Sequence, residues 1–352
     1  MSPAAGSLVT ISGAHRGRMS RAGIARGAGI FGALLAFPFV FPQHWVLNMA
    51  FFTLMYAGLA QAWNLLGGYS GYISLGHAAF FGLGAYAEAI LFSHIGIGSN
   101  GLVPFFVVPV VGLAVALVGV PIAWVALRTR HLTFAIVTLT LLFVVQTLAF
   151  NLHRITHGSQ GLSMPGPSFS LYERPFYLGV LAIFALATFI VWHVGRDKLG
   201  LMLFAIRDDE DRARGLGVRA TRVKILTFAV SVGLTAMIGA VWAYYIGYIY
   251  PQFAVDPLVM IGSILPVFLG GIGTVWGPVL GAFILLPAQQ WLAYRYGASE
   301  LYLIGYAAVF LGIMLLLPQG ILPSIGDLVA RRRDRAPSAG RPALPAPEKV
   351  RS

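Results

Sequence analysis

The chain has 352 residues, 58% of them hydrophobic and only 10% charged, with a formal net charge of +12 and a mean hydropathy of +0.79. A soluble domain carries about a quarter charged residues, so a water-soluble core is excluded as the whole molecule. Nucleic acid is not the partner the positive charge implies: the basic residues sit at the ends of apolar runs, in one central loop and in the tail, as the positive-inside rule places them.

Several apolar runs approach or exceed the roughly 20 residues that cross a bilayer as a helix. They are longer than spanning strands and do not alternate, so the spans are helices. Residues 1–26 are polar and glycine-rich, with Arg16, Arg18, Arg21 and Arg26. They are expected to be a basic cytosolic N-terminus ahead of an uncleaved first span, not a signal peptide. Spans follow near 27–42, 45–66, 72–92, 102–127, 132–150, 176–195 and 223–248. A long apolar tract then covers 257–293, and a last span lies near 300–318. The absence of cysteine removes disulfides and thiolate metal sites.

Lys and Arg set the orientation. The N-terminus, Arg128 with Arg130, and the loop 196–222 all fall on the cytoplasmic side under strict alternation; Arg154 and Arg174 are a small violation outside. The tail carries Arg331, Arg332, Arg333, Arg335 and Arg341 and belongs inside as well. An even number of crossings is then required, so 257–293 crosses twice, broken around Gly270, Gly271, Gly273 and Gly277. A single tilted helix there would give nine crossings and an external tail. The expected fold is an all-α integral membrane protein, a polytopic bundle of about ten transmembrane helices over 27–320. Residues 321–352 form a disordered basic cytosolic tail near anionic lipid.

The stretch 64–91 keeps His77 and Glu88 among apolar and small residues. On a helix, Ala78, Gly82, Ala85 and Ala89 form a small-residue stripe suited to close helix packing. A different face carries His77, Phe81, Gly84 and Glu88. Ionisable groups there belong against protein or a water-filled path. Ahead of them, Gly67 to Gly71 is expected to be a break in the helix at membrane depth, tolerated only in protein or beside a cavity. Candidate pathway residues are therefore Gly67, Gly68, Tyr69, Ser70, Gly71, Tyr72, Ser74, His77 and Glu88. Two readings of His77 stay open: an interhelical hydrogen bond, or contact with solute. Glu88 has an equally plain alternative, a place near the far interface. Gly270-Gly271-x-Gly273 echoes Gly67-Gly68-x-x-Gly71, a pattern that an inverted repeat or chance would produce.

Five of the twelve acidic residues lie in one loop: Asp197, Asp208, Asp209, Glu210 and Asp211. Residues 199–218 form an expected short amphipathic helix, with Asp208–Arg212 and Glu210–Arg214 at i,i+4 and Gly215 or Gly217 as the stop. Such concentrated charge favours a docking element over a merely solvated loop. No P-loop, metalloprotease motif or nucleophile elbow occurs, and no series of buried carboxylates of the kind found in ion-coupled carriers. A membrane enzyme therefore lacks its reactive cluster. A transporter so built would borrow energy from a partner.

Three segments carry a resemblance: 63–91 (WNLLGGYSGYISLGHAAFFGLGAYAEAIL), 205–245 (AIRDDEDRARGLGVRATRVKILTFAVSVGLTAMIGAVWAYY) and 268–285 (FLGGIGTVWGPVLGAFIL). With their spacing, covering roughly 45–320, the chain resembles the permeases of branched-chain amino-acid ABC importers, most closely the larger of the two permease subunits. The resemblance implies a multi-pass protein of the bacterial inner membrane with both termini cytoplasmic. It also implies no cofactor in this chain, ATP being used by a partner. The implied partners are a second homologous permease, two ATP-binding subunits and an extracytoplasmic solute-binding protein, besides membrane lipid. In such permeases a cytoplasmic loop docks on the ATPase. Ala205 to Gly217 matches it, with Ala205, Arg207, Asp208, Asp209, Glu210, Arg212, Gly215 and Gly217 as coupling candidates. The Glu-Ala-Ala opening of other importers' loops is absent. Branched-chain amino acids are the implied solute, with urea or short amides as the alternative within the family. A self-sufficient channel or secondary carrier is the alternative of a different class.

Overall fold

The computed structural model describes residues 21–94, 101–164, 173–296, 308, 311–312 and 320–324. Its helices are α1 (Arg21–Val40), α2 (His44–Ser70), α3 (His77–His94), α4 (Val103–Ala126), α5 (His131–Asn151), α6 (His153–Thr156), α7 (Glu173–Val194), α8 (Lys198–Asp208), α9 (Glu210–Gly215), α10 (Ala220–Ile246), α11 (Pro251–Ala254), α12 (Pro257–Gly270) and α13 (Gly277–Tyr296). A two-residue antiparallel pairing, β1 (Leu162–Ser163) with β2 (Tyr248–Ile249), clips two loops together. Helix dominates because lipid offers the backbone no hydrogen-bond partners.

Six stretches among the described residues are long and apolar enough to cross a membrane: α2, α4, α5, α7, α10 and the run from α11 through α12. The helices α1, α3 and α13, of 20, 18 and 20 residues, are not among them. The expected span 300–318 and the ends 1–20 and 325–352 lie outside the described residues, apart from isolated positions. The first helix begins at Arg21, ahead of the expected boundary at 27, and 321–324 form a helical turn where a disordered tail was expected.

The tract 257–293 does divide, at 271–276. Asp256 caps α12 by accepting from Leu258 N, and Pro257 fills the first turn, where a missing N–H costs nothing. Gly271 then takes φ 124° and Gly273 φ 77°, a backbone that ends the helix.

At the core, α10 packs on α2, α3, α4 and α7. In its most apolar stretch 72% of residues are buried, against 28% in α4 and in α5, so those two face lipid or another chain. Where α3 crosses α10, a Cβ on Gly84 would lie 2.1 Å from the Ala236 carbonyl oxygen, and one on Gly239 equally close to that of Phe81. The α3–α10 contact is therefore made by the Gly84 face of α3. The expected packing residue Gly82 instead abuts Ala254 and Val255.

Contacts sort the loops into two ends. At one end, Tyr72 meets Glu210, Arg130 meets Asp211, and Gly273 meets Asn64. At the other, His44 meets Glu173, Tyr244 meets Gly101, and β1 pairs with β2. This is the segregation that strict alternation of spans requires.

Candidate functional site

The charged island folds differently from the single helix expected over 199–218. Asp209 (φ −159°, ψ 108°) interrupts it, ending α8 and capping α9 by accepting from Asp211 N and Arg212 N at 3.0 Å. A carboxylate there satisfies otherwise orphaned donors and meets the positive helix end. The expected Asp208–Arg212 pair is not what forms: Arg212 Nε turns back to Asp209 at 3.0 Å, because the break shifts Asp208 off the face of α9. The Glu210–Arg214 pair does form, at 2.6 Å.

The coupling candidates divide by what they face. Arg207 is exposed, but its Nη1 donates to the Gly68 carbonyl at 2.7 Å. Ala205 is half-buried in α8. Glu210 is buried. Asp208, Arg212, Gly215 and Gly217 lie exposed, and between the two glycines Leu216 stands 85% exposed. Leu216 was not singled out from the sequence. Its signal was an apolar residue flanked by glycines just past a charged helix.

Glu210 sits at the centre of a buried ring. Lys224 Nζ donates to Glu210 Oε1 at 2.8 Å and to the Tyr72 hydroxyl at 2.9 Å, while that hydroxyl donates to Glu210 Oε2. Burial alone would raise the Glu210 carboxyl's pKa. Hydrogen bonds from Lys224 and Tyr72 and the charges of Lys224 and Arg214 overcome it, and the pKa falls below the ordinary value. The Tyr72 hydroxyl is pushed up, by burial first and then by Glu210. At the surface Arg130 makes a two-pronged contact with Asp211, both bonds 2.9 Å, which lowers the aspartate's pKa. Neither Lys224 nor Arg130 was picked out as a site residue. Lys224 was legible as a lysine inside the first turn of an apolar span.

The pathway candidates sit mostly inside the chain. Gly67, Gly68, Tyr69 and Ser70 are buried and still helical, so the break begins at Gly71 and not at Gly67. Gly71 takes the left-handed φ of 73°, which glycine adopts without a Cβ clash. The nonhelical segment is 71–76, and α3 starts at His77 where a span from 72 was expected. Trp63 Nε1 donates to the Ser74 carbonyl at 2.9 Å and fixes that segment. Asn64 holds the second break: its Nδ2 donates to Thr274 O, and its Oδ1 accepts from Gly273 N, both 2.9 Å. Gln61 Nε2 adds a bond to Val275 O at 2.7 Å. The two glycine-marked breaks thus meet at one end, after helices α2 and α12 that run in the same direction, so an inverted relation between them is not observed.

His77 is buried with both ring nitrogens engaged, Nδ1 with Ser74 Oγ at 3.0 Å and Nε2 with Ser231 Oγ at 2.7 Å. Ser231 Oγ gives its own hydrogen to the Ala62 carbonyl at 2.5 Å. A neutral ring protonated on Nε2 satisfies every partner. Here His77 is an interhelical tie joining α2, α3 and α10. Glu88 is fully buried, and neither of its carboxyl oxygens has a hydrogen-bond partner.

Comparison with known proteins fits this architecture. The family described as "Branched-chain amino acid transport system / permease component" matches residues 45–318. The high-affinity branched-chain amino acid transport system permease protein LivM of Escherichia coli is 28% identical over 320 residues, covering 82% of this chain and 72% of that protein. LivM of Salmonella typhimurium is 29% identical over the same shares. The autoinducer 2 import system permease protein LsrC of Salmonella paratyphi B is 36% identical over 124 residues, 32% of this chain and 35% of that protein. No solved structure matches the chain. With the family matched across most of the described helices, the chain belongs to the branched-chain amino acid transport permease components.

Proposed function

We propose that this chain is the passive translocation subunit of an ATP-driven importer in a bacterial inner membrane. As a permease component it is a transport subunit and not an enzyme. Its partners are a second homologous permease, two ATP-binding subunits and an extracytoplasmic solute-binding protein. The end bearing α8 and α9 faces the cytoplasm, as do both termini. The excess of Lys and Arg in 196–222 supports that orientation.

One observation carries the reading. The inner side of α9 is tied into the bundle through Glu210, while Arg212 on its outer side and Leu216 just past its end are exposed. Leu216, 85% exposed, leaves apolar surface beside Arg212, and arginine is among the residues on which interface binding energy concentrates. Arg207, bonded inward to Gly68, positions α8 in this arrangement. The solute is a branched-chain amino acid, a proposal that rests on the family description and on the LivM relatives. Gly67 to His77 is the proposed wall of the path, which needs a rearrangement to expose side chains that are now buried.

The test is co-purification of the ATP-binding subunits with the Leu216→Ser/Arg212→Glu variant, alongside uptake of labelled leucine. Loss of both is expected. Unchanged recruitment and uptake would remove α9 from the interface.

A further inference from the structure

We infer that Tyr72, Glu210 and Lys224 form the joint through which movement of α9 reaches the translocation helices. This rests on the reading of α8 and α9 as the docking element.

Three segments meet in this ring: the turn after α2, the first residue of α9, and the fifth residue of α10. Tyr72 and Lys224 are each 1% exposed. The other ion pairs of α9 are weaker candidates. The residues of the Arg130–Asp211 pair are 53% and 67% exposed, and Arg212 of the Arg212–Asp209 pair is 86% exposed. Solvent and salt screen such pairs. Buried charges in a low dielectric interact more strongly and cannot part cheaply.

Both arms leading away from the ring converge on one histidine. Two residues after Tyr72, Ser74 engages His77 Nδ1. Seven residues after Lys224, two helical turns along α10, Ser231 engages His77 Nε2 and the Ala62 carbonyl of α2. A displacement of Glu210 therefore pulls on α10 and on the 71–76 turn together, and these enter α2 and α3 at a single point. Tyr72 is a positioning residue: its hydroxyl closes the ring, while its ring packs edge-on against Phe134. Tyr72→Phe removes the closure and leaves that packing.

The experiment compares native chain, Tyr72→Phe and Glu210→Gln/Lys224→Met, each co-expressed with the ATP-binding subunits and reconstituted in vesicles. Leucine uptake is read per ATP hydrolysed. The ratio is expected to fall about tenfold in both variants, within the range of ordinary site-to-site coupling, while recruitment and ATP hydrolysis persist. An unchanged ratio, even at a lower yield of complex, reduces the ring to a structural role and overturns the proposal. Failure of the native chain to recruit an ATP-binding subunit would instead refute the docking reading. A second measurement needs no partner. The chain lacks cysteine, so spin labels at Ile73→Cys and Arg212→Cys report one distance without background. Tyr72→Phe is expected to broaden that distribution, and an equally narrow one counts against the joint.

Discussion

Lys224 Nζ lies 2.8 Å from Glu210 Oε1, with the two side chains 1% and 4% exposed. A buried pair of this kind is most damaging when half of it is removed. Glu210→Ala is expected to cost about 3–5 kcal/mol by leaving the Lys224 ammonium buried without a carboxylate, whereas replacing both charges by neutral groups of similar shape costs far less. Thermal unfolding in detergent of Glu210→Ala and of Glu210→Gln/Lys224→Met checks the order. Equal losses would mean that shape, and not charge, sets the cost.

The same pair sets a pH dependence. Glu210 has its pKa lowered in the folded chain from the ordinary 4.5. A depressed folded pKa contributes stability that is present above the unfolded value and is lost as pH falls through the folded one. Acidification below about 4.5 is therefore expected to loosen α9, with Asp211 acting in the same direction through Arg130. The mobility of a spin label at Arg212→Cys should rise in that range and stay flat from neutral pH down to it. In Glu210→Gln the acid-dependent rise should shrink.

Gly84 offers a steric test. Its missing Cβ would lie 2.1 Å from a backbone oxygen that cannot swing aside. Gly84→Ala is expected to destabilise by about 1–3 kcal/mol, the usual cost of overpacking. Gly29→Ala, with nothing within 4 Å, should be silent. The comparison is made by unfolding midpoint, and a silent Gly84→Ala would place the α3–α10 contact elsewhere.

His77→Leu removes the partner of two serines, of which Ser231 keeps the Ala62 carbonyl. A loss of about 1–3 kcal/mol is expected for stranding buried polar groups. Uptake per folded molecule should also fall if His77 serves the path, and full uptake per molecule would confine it to structure.

Glu88 reverses the sign. A buried carboxyl without a partner is a liability, so Glu88→Leu is expected to leave the fold intact or to stabilise it by about 1–3 kcal/mol. Destabilisation on unfolding would reveal a partner supplied by the surroundings. Uptake by the same variant tests its place on the path.

Much of the architecture was legible because the bilayer imposes it. Apolar length located the described helices to within a few residues. The break inside 257–293 followed from parity and its glycines. The i,i+4 pairing of Asp208 with Arg212 failed because Asp209 adopts extended backbone and restarts the helix. Sequence spacing does not reveal that choice, since a capping side chain competes with helix continuation for the same donors. The break after α2 was set four residues early. Gly67 and Gly68 signal flexibility in the sequence, yet here they serve close packing inside a helix.

Composition and order by themselves determined that this is a helical membrane protein with one ionic island and no nucleotide-binding motif of its own. Folding alone decided which of the island's charges is buried. Glu210 is as polar as Arg212, but only Glu210 lies where the bundle supplies an ammonium and a hydroxyl to receive it. Desolvating a charge is tolerable only beside a partner, and partners 14 and 138 residues away become neighbours only when the helices pack.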